Sequence, residues 1–194
     1  MRMPDPNPAA MAFLLSRRSR PAKTLTAPAP DRAALLPILT AAARTPDHGK
    51  LEPWRFVVVQ GAALNRLADA ADARGAALGL ASDVAAKGRK QFADSPLCVA
   101  VIESPKDSPK VPALEQTYSA GAACLALLNA ALASGWGANW LTGWVAEDRD
   151  FVEHSFGLAP NERIAGFVHI GTETSAPPDR PRPDLEAIVT WVDA

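Results

Sequence analysis

The hydrophobic positions of this 194-residue chain fall into helical faces and short β-branched runs, punctuated by prolines and glycines. Asn7 before Pro8 reads as a helix start, because Asn accepts from orphan N–H groups and Pro is tolerated in the first turn; the helix should run to about Arg17. Ser19 to Pro30 reads as a loop. Asp31 then caps a second helix with Leu35, Leu36, Ile38, Leu39 and Ala42 on its inner side, kinked or weakened by Pro37 and stopped by Pro46. Trp54 to Gln60 and Leu97 to Glu103 are apolar, β-branched and of strand length. Alanine-rich helices lie between them, at least two, broken at Gly75, Gly79 and Gly88.

The longest predicted helix, Ala113 to Ser134, is apolar around nearly its whole circumference and is expected to be buried on all sides, at the domain centre or in a subunit interface, with a homodimer preferred. Gly135 ends it. A strand around Ala138 to Thr142, a helix from Asp148 to Phe156 and a strand from Arg163 to Ile170, closed by Gly171, complete a mixed α+β order. The stretch TSAPPDRPRPD is too proline-rich for a helix, and the apolar positions Ile188, Val189 and Trp191 beyond it read as an edge strand, of this chain or a neighbouring subunit.

Twenty Lys and Arg against 21 Asp and Glu give a net charge of -1, so there is no basic field to hold nucleic acid or an anionic membrane. Hydrophobic content of 48% with 21% charged residues is that of a globular chain, and one domain over residues 1–194 is expected. The two cysteines, Cys98 and Cys124, lie in apolar runs, which suits buried small hydrophobes in a reducing, cytoplasmic setting. Prolines break the apolar N-terminus where an export signal would need continuity, and Ala120 to Ala133, interrupted by Asn129, falls short of the roughly 20 residues a membrane span requires.

The usual chemical motifs are missing. There is neither a dinucleotide-binding glycine fingerprint nor a P-loop, so any phosphate must be held by side chains. His48, His154 and His169 lack metal-ligand spacing, the cysteines form no C-x-x-C, and there is no Gly-x-Ser-x-Gly elbow. Three clusters remain. Arg17-Arg18-Ser19 with Arg20 either complements the dipole of the first helix or forks onto a phosphate monoester. Arg44-Thr45-Pro46-Asp47-His48 is either a helix stop or a rigid turn presenting Arg44 and His48 to an anion. Gly137 to Trp144 combines aromatics with glycines, which suits a core or the close approach of a planar ligand.

Taken in order, these segments resemble the nitroreductase-like flavoproteins, most closely their short members. The likeness rests on Arg17-Arg18-Ser19, Pro46-Asp47-His48 before Pro53-Trp54, Lys110-Val111-Pro112, Glu115-Gln116 before Ser119-Ala120-Gly121, Trp140-Leu141-Thr142-Gly143, and Ile164-Ala165-Gly166-Phe167-Val168-His169-Ile170-Gly171. The resemblance implies a central, mostly antiparallel sheet wrapped by helices, and an intertwined homodimer with FMN at the subunit interface. By position, Arg17, Arg18 and Ser19 would hold the phosphate and ribityl chain, Arg44 and His48 would reach in from the partner, and Trp140, Leu141 and Thr142 would line the flavin. Ala130, Ala131, Leu132, Ala133, Ser134 and Gly135 match the segment that meets the nicotinamide nucleotide, and residues 175–194 would form an arm packed on the partner.

The implied activity is an FMN-dependent oxidoreductase in which NADH or NADPH reduces the flavin and a small electron-poor aromatic, a nitro compound or quinone, reoxidises it in a ping-pong cycle. No catalytic side chain is then needed, because the flavin carries the chemistry. The alternative is a flavin carrier or ligand-binding protein with little turnover. One residue departs from the family pattern: Leu141 stands where a cationic or polar side chain is common. The loss is expected to be offset by backbone contacts or a neighbour such as Arg20, or else to weaken FMN retention.

Overall fold

The computed structural model of the protein describes residues 5–193. Its centre is a five-stranded sheet in which every pairing is antiparallel. Strand β5 (Arg163–Glu173) bonds to β1 (Leu25–Thr26), to β3 (Leu97–Glu103) and to β4 (Gly137–Leu141), and β3 bonds in turn to β2 (Trp54–Gln60). All seven residues of β3 are buried, which means that the sheet is covered on both faces. The two-residue period divides them: Cys98, Ala100 and Ile102 join one core, while Leu97, Val99 and Val101 join the other.

The first core is closed by α3 (Ala62–Ala77), α4 (Ser82–Ala93), α6 (Trp144–Glu147) and α7 (Arg149–Phe156). Phe92 meets Phe151, Phe156 and Phe167 at centroid distances of 5.9, 6.4 and 5.4 Å, spacings that favour aromatic pairs over simple area burial. The second core is closed by α2 (Arg32–Ala42) and α5 (Ala113–Ala133). Helix α1 (Pro8–Ser16) stands apart, with no buried residue despite the sequence PAAMAFLLS. Both predicted N-caps form: Asn7 Oδ1 accepts from the Ala10 N–H at 3.0 Å, and Asp31 Oδ1 from the Ala34 N–H at 2.8 Å.

Strands β2 and β3 coincide with their expected limits, and the other elements differ in instructive ways. Gly75 and Gly88 do not break helices; they lie inside α3 and α4, and only Gly79, at φ 63°, separates the two. A Cβ on Gly75 would stand 2.9 Å from the Ala85 Cβ and one on Gly88 2.5 Å from the Trp144 indole nitrogen, so these glycines make the notch that admits Trp144. Leu36, expected inside, is 61% exposed, because α2 turns only Leu35, Ile38 and Ala42 fully onto the core. Pro37 is accommodated within a continuous α2.

Helix α5 is not covered all round within one chain. Its Ser119, Ala123, Cys124 and Leu127 face the core, while Leu114, Tyr118 and Leu125 remain exposed. Strand β5 runs past Gly171 to Glu173, because Glu173 and Thr172 pair with Leu25 and Thr26 of a strand that falls within the expected loop. The C-terminal segment forms a short helix, α8 (Leu185–Ile188), in place of the expected edge strand, with Asp184 capping it through the Glu186 N–H. Cys98 and Cys124 are both free and buried, as expected, and burial pushes both thiols up, Cys124 to about 12.

Two bidentate ion pairs fasten the periphery. Arg55 donates to both carboxylate oxygens of Glu162 at 2.7 Å, and Arg74 donates to Asp148 at 2.8 and 3.0 Å. The Arg55 hydrogen bonds, aided by the Ala159 N–H, hold the Glu162 carboxyl down at about 2.

Two predictions follow from this packing. Gly88→Ala should lower stability by about 1–3 kcal/mol through overpacking against Trp144, read as a fall in thermal midpoint; an unchanged midpoint would show that the notch is loose. Because Glu162 titrates lower in the folded chain, its stabilisation is complete above about pH 4.5, the ordinary carboxyl value, and fades as pH falls toward about 2. Glu162→Gln should therefore flatten the stability profile in that window, as measured by urea unfolding at stepped pH.

Candidate functional site

At the end of α1 the chain leaves the helix abruptly: the Arg17 N–H still bonds the Phe13 carbonyl, but Arg17 itself has ψ 142°. The next residues run alongside the sheet, where the Arg20 N–H donates to the Ala138 carbonyl and Asn139 Nδ2 donates to the Arg20 carbonyl, both at 2.8 Å. This attachment to β4 fixes the intervening arginines. Arg17 Nη2 donates to Ser19 Oγ at 3.1 Å, while Arg17 Nε and Arg18 Nη1 are buried without a hydrogen-bond partner among the described residues.

A cavity of about 100 Å³ lies at these groups, lined by Arg17, Arg18, Ser19, Arg180 and Arg182. Asp179 stands 3.9 Å from Arg18 Nη1 and accepts from Arg182 Nη2 at 3.1 Å. Burial, then the charges of Arg182, Arg18 and Arg20, push the Arg17 guanidinium below its ordinary value. Clustered cations with buried N–H groups left over form a receptor for a compact anion with several acceptor oxygens, and a phosphate monoester has that chemistry.

A second cavity, about 260 Å³, adjoins the first through Arg17 and Arg18 and extends to Arg20, Glu173, Leu132, Gly135 and Trp136. It brings the end of α5 beside the arginines, so that of the expected nucleotide segment Leu132 and Gly135 face open space while Ala131 is core. Arg20 is held by Glu173 at 3.2 Å.

Trp140, Leu141 and Thr142 fare differently from one another. The Trp140 indole donates to the Ala165 carbonyl at 3.3 Å and lies over Gly166, where any Cβ would collide with it. Leu141 lines a third cavity of about 200 Å³ with Lys23, Lys87, Lys90, Gln91 and His169. The Thr142 carbonyl accepts from Gln91 Nε2 at 2.7 Å. The glycines that flank this strand serve the chain itself: Gly137 is needed because Leu25 and the Gly171 carbonyl press against it, and Gly143 turns at φ 89°.

Arg44 and His48 line none of these three cavities. Arg44 borders a separate cavity against Leu125, Ala126 and Asn129 on the exposed side of α5, and His48 Nδ1 pairs with Glu115 Oε2 at 2.7 Å. The structure thus gathers Arg17, Arg18 and Ser19, sets Leu132 and Gly135 beside them, and keeps Arg44 and His48 on another face. It also adds Arg180, Arg182, Lys23, Lys90 and Gln91, which the sequence pattern did not single out, and His169, to which the sequence pattern assigned no site role. Arg180 and Arg182 lie in the proline-rich stretch read as too rich in proline for a helix and as part of an arm over residues 175–194.

The fold is an antiparallel sheet covered on both faces by helices, with an arginine-lined cavity at its side. Residues 14–172 match the Nitroreductase family, and the chain belongs to that family. It is 35% identical over 163 residues, 84% of this chain and 87% of the relative, to the Escherichia coli K12 protein named "Putative NAD(P)H nitroreductase YdjA". Among solved structures it is similar to a nitroreductase-like family protein from Bacillus cereus, with a TM-score of 0.80 and 24% identity over 100% of both chains. It is also similar to the FMN and NADPH-dependent nitroreductase NfnB of Sphigopyxis sp. strain HMH, with a TM-score of 0.74 and 21% identity over 95% of this chain and 99% of that one.

If the arginine cluster is an anion receptor, its members repel one another in the free protein. Arg18→Met should then leave the anion-free thermal midpoint unchanged or raised, while abolishing the increase that inorganic phosphate gives the parent chain. A midpoint insensitive to phosphate in the parent would remove the receptor assignment.

Proposed function

We propose that this protein is an FMN-dependent oxidoreductase that uses NADH or NADPH to reduce small electron-poor aromatics such as nitro compounds or quinones. The observation that carries the reading is the arginine-lined cavity, where Arg17 Nε and Arg18 Nη1 are buried and make no hydrogen bond among the described residues. The names of the relatives, NAD(P)H nitroreductases and an FMN- and NADPH-dependent enzyme, support it.

FMN, when bound, would supply the hydride chemistry that links a nicotinamide reductant to a second substrate, in the manner of a ping-pong cycle. The protein's part is to bind and orient. Arg17, Arg18, Ser19, Arg180 and Arg182 hold the phosphate through charge-assisted bonds, doing with side chains what a glycine loop does elsewhere. The cavity beside Leu132 and Gly135 receives the nucleotide segment's ligand. Leu141 brings no charge, and Arg20 is taken up by Glu173, so Lys23 and Lys90 supply the cationic character near that strand.

Arg44 and His48 act on the cofactor of a second copy of the chain. An intertwined homodimer is supported by the uncovered helix α1, by Leu114, Tyr118 and Leu125 on α5, and by the apolar arm that carries Leu185, Ile188 and Trp191 and packs on the partner. Together these surfaces are more apolar than an isolated chain exposes without reason.

The test begins with absorbance of the purified protein with added FMN, followed by anaerobic addition of each nucleotide. A yellow complex that bleaches is expected; a flavin bound but reduced by neither nucleotide would favour the carrier. Arg17→Ala and Arg182→Ala should each weaken FMN binding by roughly ten- to a hundredfold, the loss of one charge-assisted hydrogen bond. His48→Ala should weaken it only if the partner contributes, and sedimentation of the same sample gives the stoichiometry.

A further inference from the structure

The turn that joins α2 to β2 carries His48 and is built on unfavourable backbone. Among the described residues, Lys50 and Glu52 are the two non-glycine residues in the left-handed region, at φ 54° and 49°, and Gly49 beside them stands at 78°. Such conformations persist only where the surroundings over-determine them, and they cluster at sites that act on a ligand. Here the hold is visible. Asp47 Oδ1 accepts from the Leu51 and Glu52 N–H groups at 2.5 and 3.3 Å. From α5, the buried Ser119 hydroxyl donates to the Pro46 carbonyl at 2.9 Å and accepts from the Trp54 indole at 3.1 Å.

One helical turn before Ser119, α5 grips the imidazole itself: Glu115 Oε2 lies 2.7 Å from His48 Nδ1. An ionised carboxylate can only accept, so Nδ1 carries a proton and donates. Nε2 makes no hydrogen bond among the described residues and is the nitrogen left for a ligand. The two side chains are 57% and 47% exposed, and an ion pair so open to water contributes little to folding. What it does fix is the direction of the ring and the nitrogen that the ring presents. Leu114 and Tyr118, which flank Glu115 on α5, are exposed and belong to the surface read above as meeting a second copy.

We propose that Glu115 is a positioning residue for His48, holding its Nδ1–H so that Nε2 is presented to FMN bound by a second copy of the chain. The inference rests on the flavin reading above, in which His48 reaches the cofactor of that copy, and adds to it the carboxylate that orients the ring. While the ring is neutral Nε2 is an acceptor, and the ribityl hydroxyls of FMN are donors of the matching kind. A carboxylate behind a histidine sets tautomer and direction in the same way where the other nitrogen serves a metal or a nucleophilic hydroxyl.

Two measurements test it. The first is the ring spectrum of ligand-free protein labelled with nitrogen-15 in its histidines, with His48 assigned by its absence from His48→Ala. Above neutral pH the ring should be the Nδ1–H tautomer, and Glu115→Ala should return it to the Nε2–H form that free histidine prefers. An Nε2–H ring in the wild type, or a ring that Glu115→Ala leaves unchanged, overturns the proposal. The second is FMN binding, followed by quenching of flavin fluorescence. His48→Ala and Glu115→Ala should each weaken it by about tenfold, and the double variant no more than His48→Ala alone, since Glu115 acts only through the ring. Losses that add, or a Glu115→Ala protein that binds as tightly as the wild type while His48→Ala does not, also overturn the proposal and leave the flavin reading standing. The other failure looks different: a wild type that binds no FMN, or binding that His48→Ala leaves unchanged, removes the cofactor contact itself and the proposal with it, whatever the ring spectrum shows.

Discussion

Strand β5 is hydrogen-bonded to three other strands, and the positions of the site groups depend on that register. Its pairing with β1 and β4 ties down the segment that follows α1, since Arg20 is bonded to Ala138 and Asn139 of β4. The same register sends Phe167 into the aromatic core and sets His169 opposite Cys98 and Asn139. A slip of one residue would exchange the two faces, place Val168 among the phenylalanines and carry the imidazole to the other core. The cost of such a slip, several buried side chains at once, is what makes the site geometry reproducible.

On this frame the chain concentrates like charge. Arg17, Arg18, Arg180 and Arg182 meet although their segments are separated by most of the sequence, with Asp179 against Arg18 and Arg182 and Glu173 in the adjoining cavity against Arg20. The periphery shows the opposite practice, with Arg55 and Arg74 each matched bidentately to a carboxylate. Charges at the periphery are paired within the fold, whereas those at the cavity outnumber the carboxylates that line it. The fold carries that electrostatic load through the covered sheet and its two cores.

Much of the fold was legible in the sequence because its strongest signals are local. Strands β2 and β3 are apolar runs bounded by punctuation, and the caps of α1 and α2 are set by side chains three residues from the groups they satisfy. What escaped was decided at a distance. Gly75 and Gly88 look like helix breakers until Trp144 is seen to fill the space they leave. Leu25 and Thr26 become a strand only because β5 extends to meet them. Arg17 to Ser19 were found as a contiguous cluster, whereas Lys90, Gln91 and His169 lie on α4 and β5 and meet only through the packing of one on the other. Arg44 and His48, readable as a motif, lie elsewhere, Arg44 at a cavity on the exposed side of α5 and His48 against Glu115, which the spacing of the motif alone does not reveal.

The two thiols offer a last consequence. Cys98 belongs to the core on one side of the sheet and Cys124 to the core on the other, and neither is accessible in the native chain. Each can be alkylated only when its own half of the molecule opens. The chain therefore carries a built-in pair of clocks, and the order in which a maleimide reaches them would tell which half of the protein loosens first.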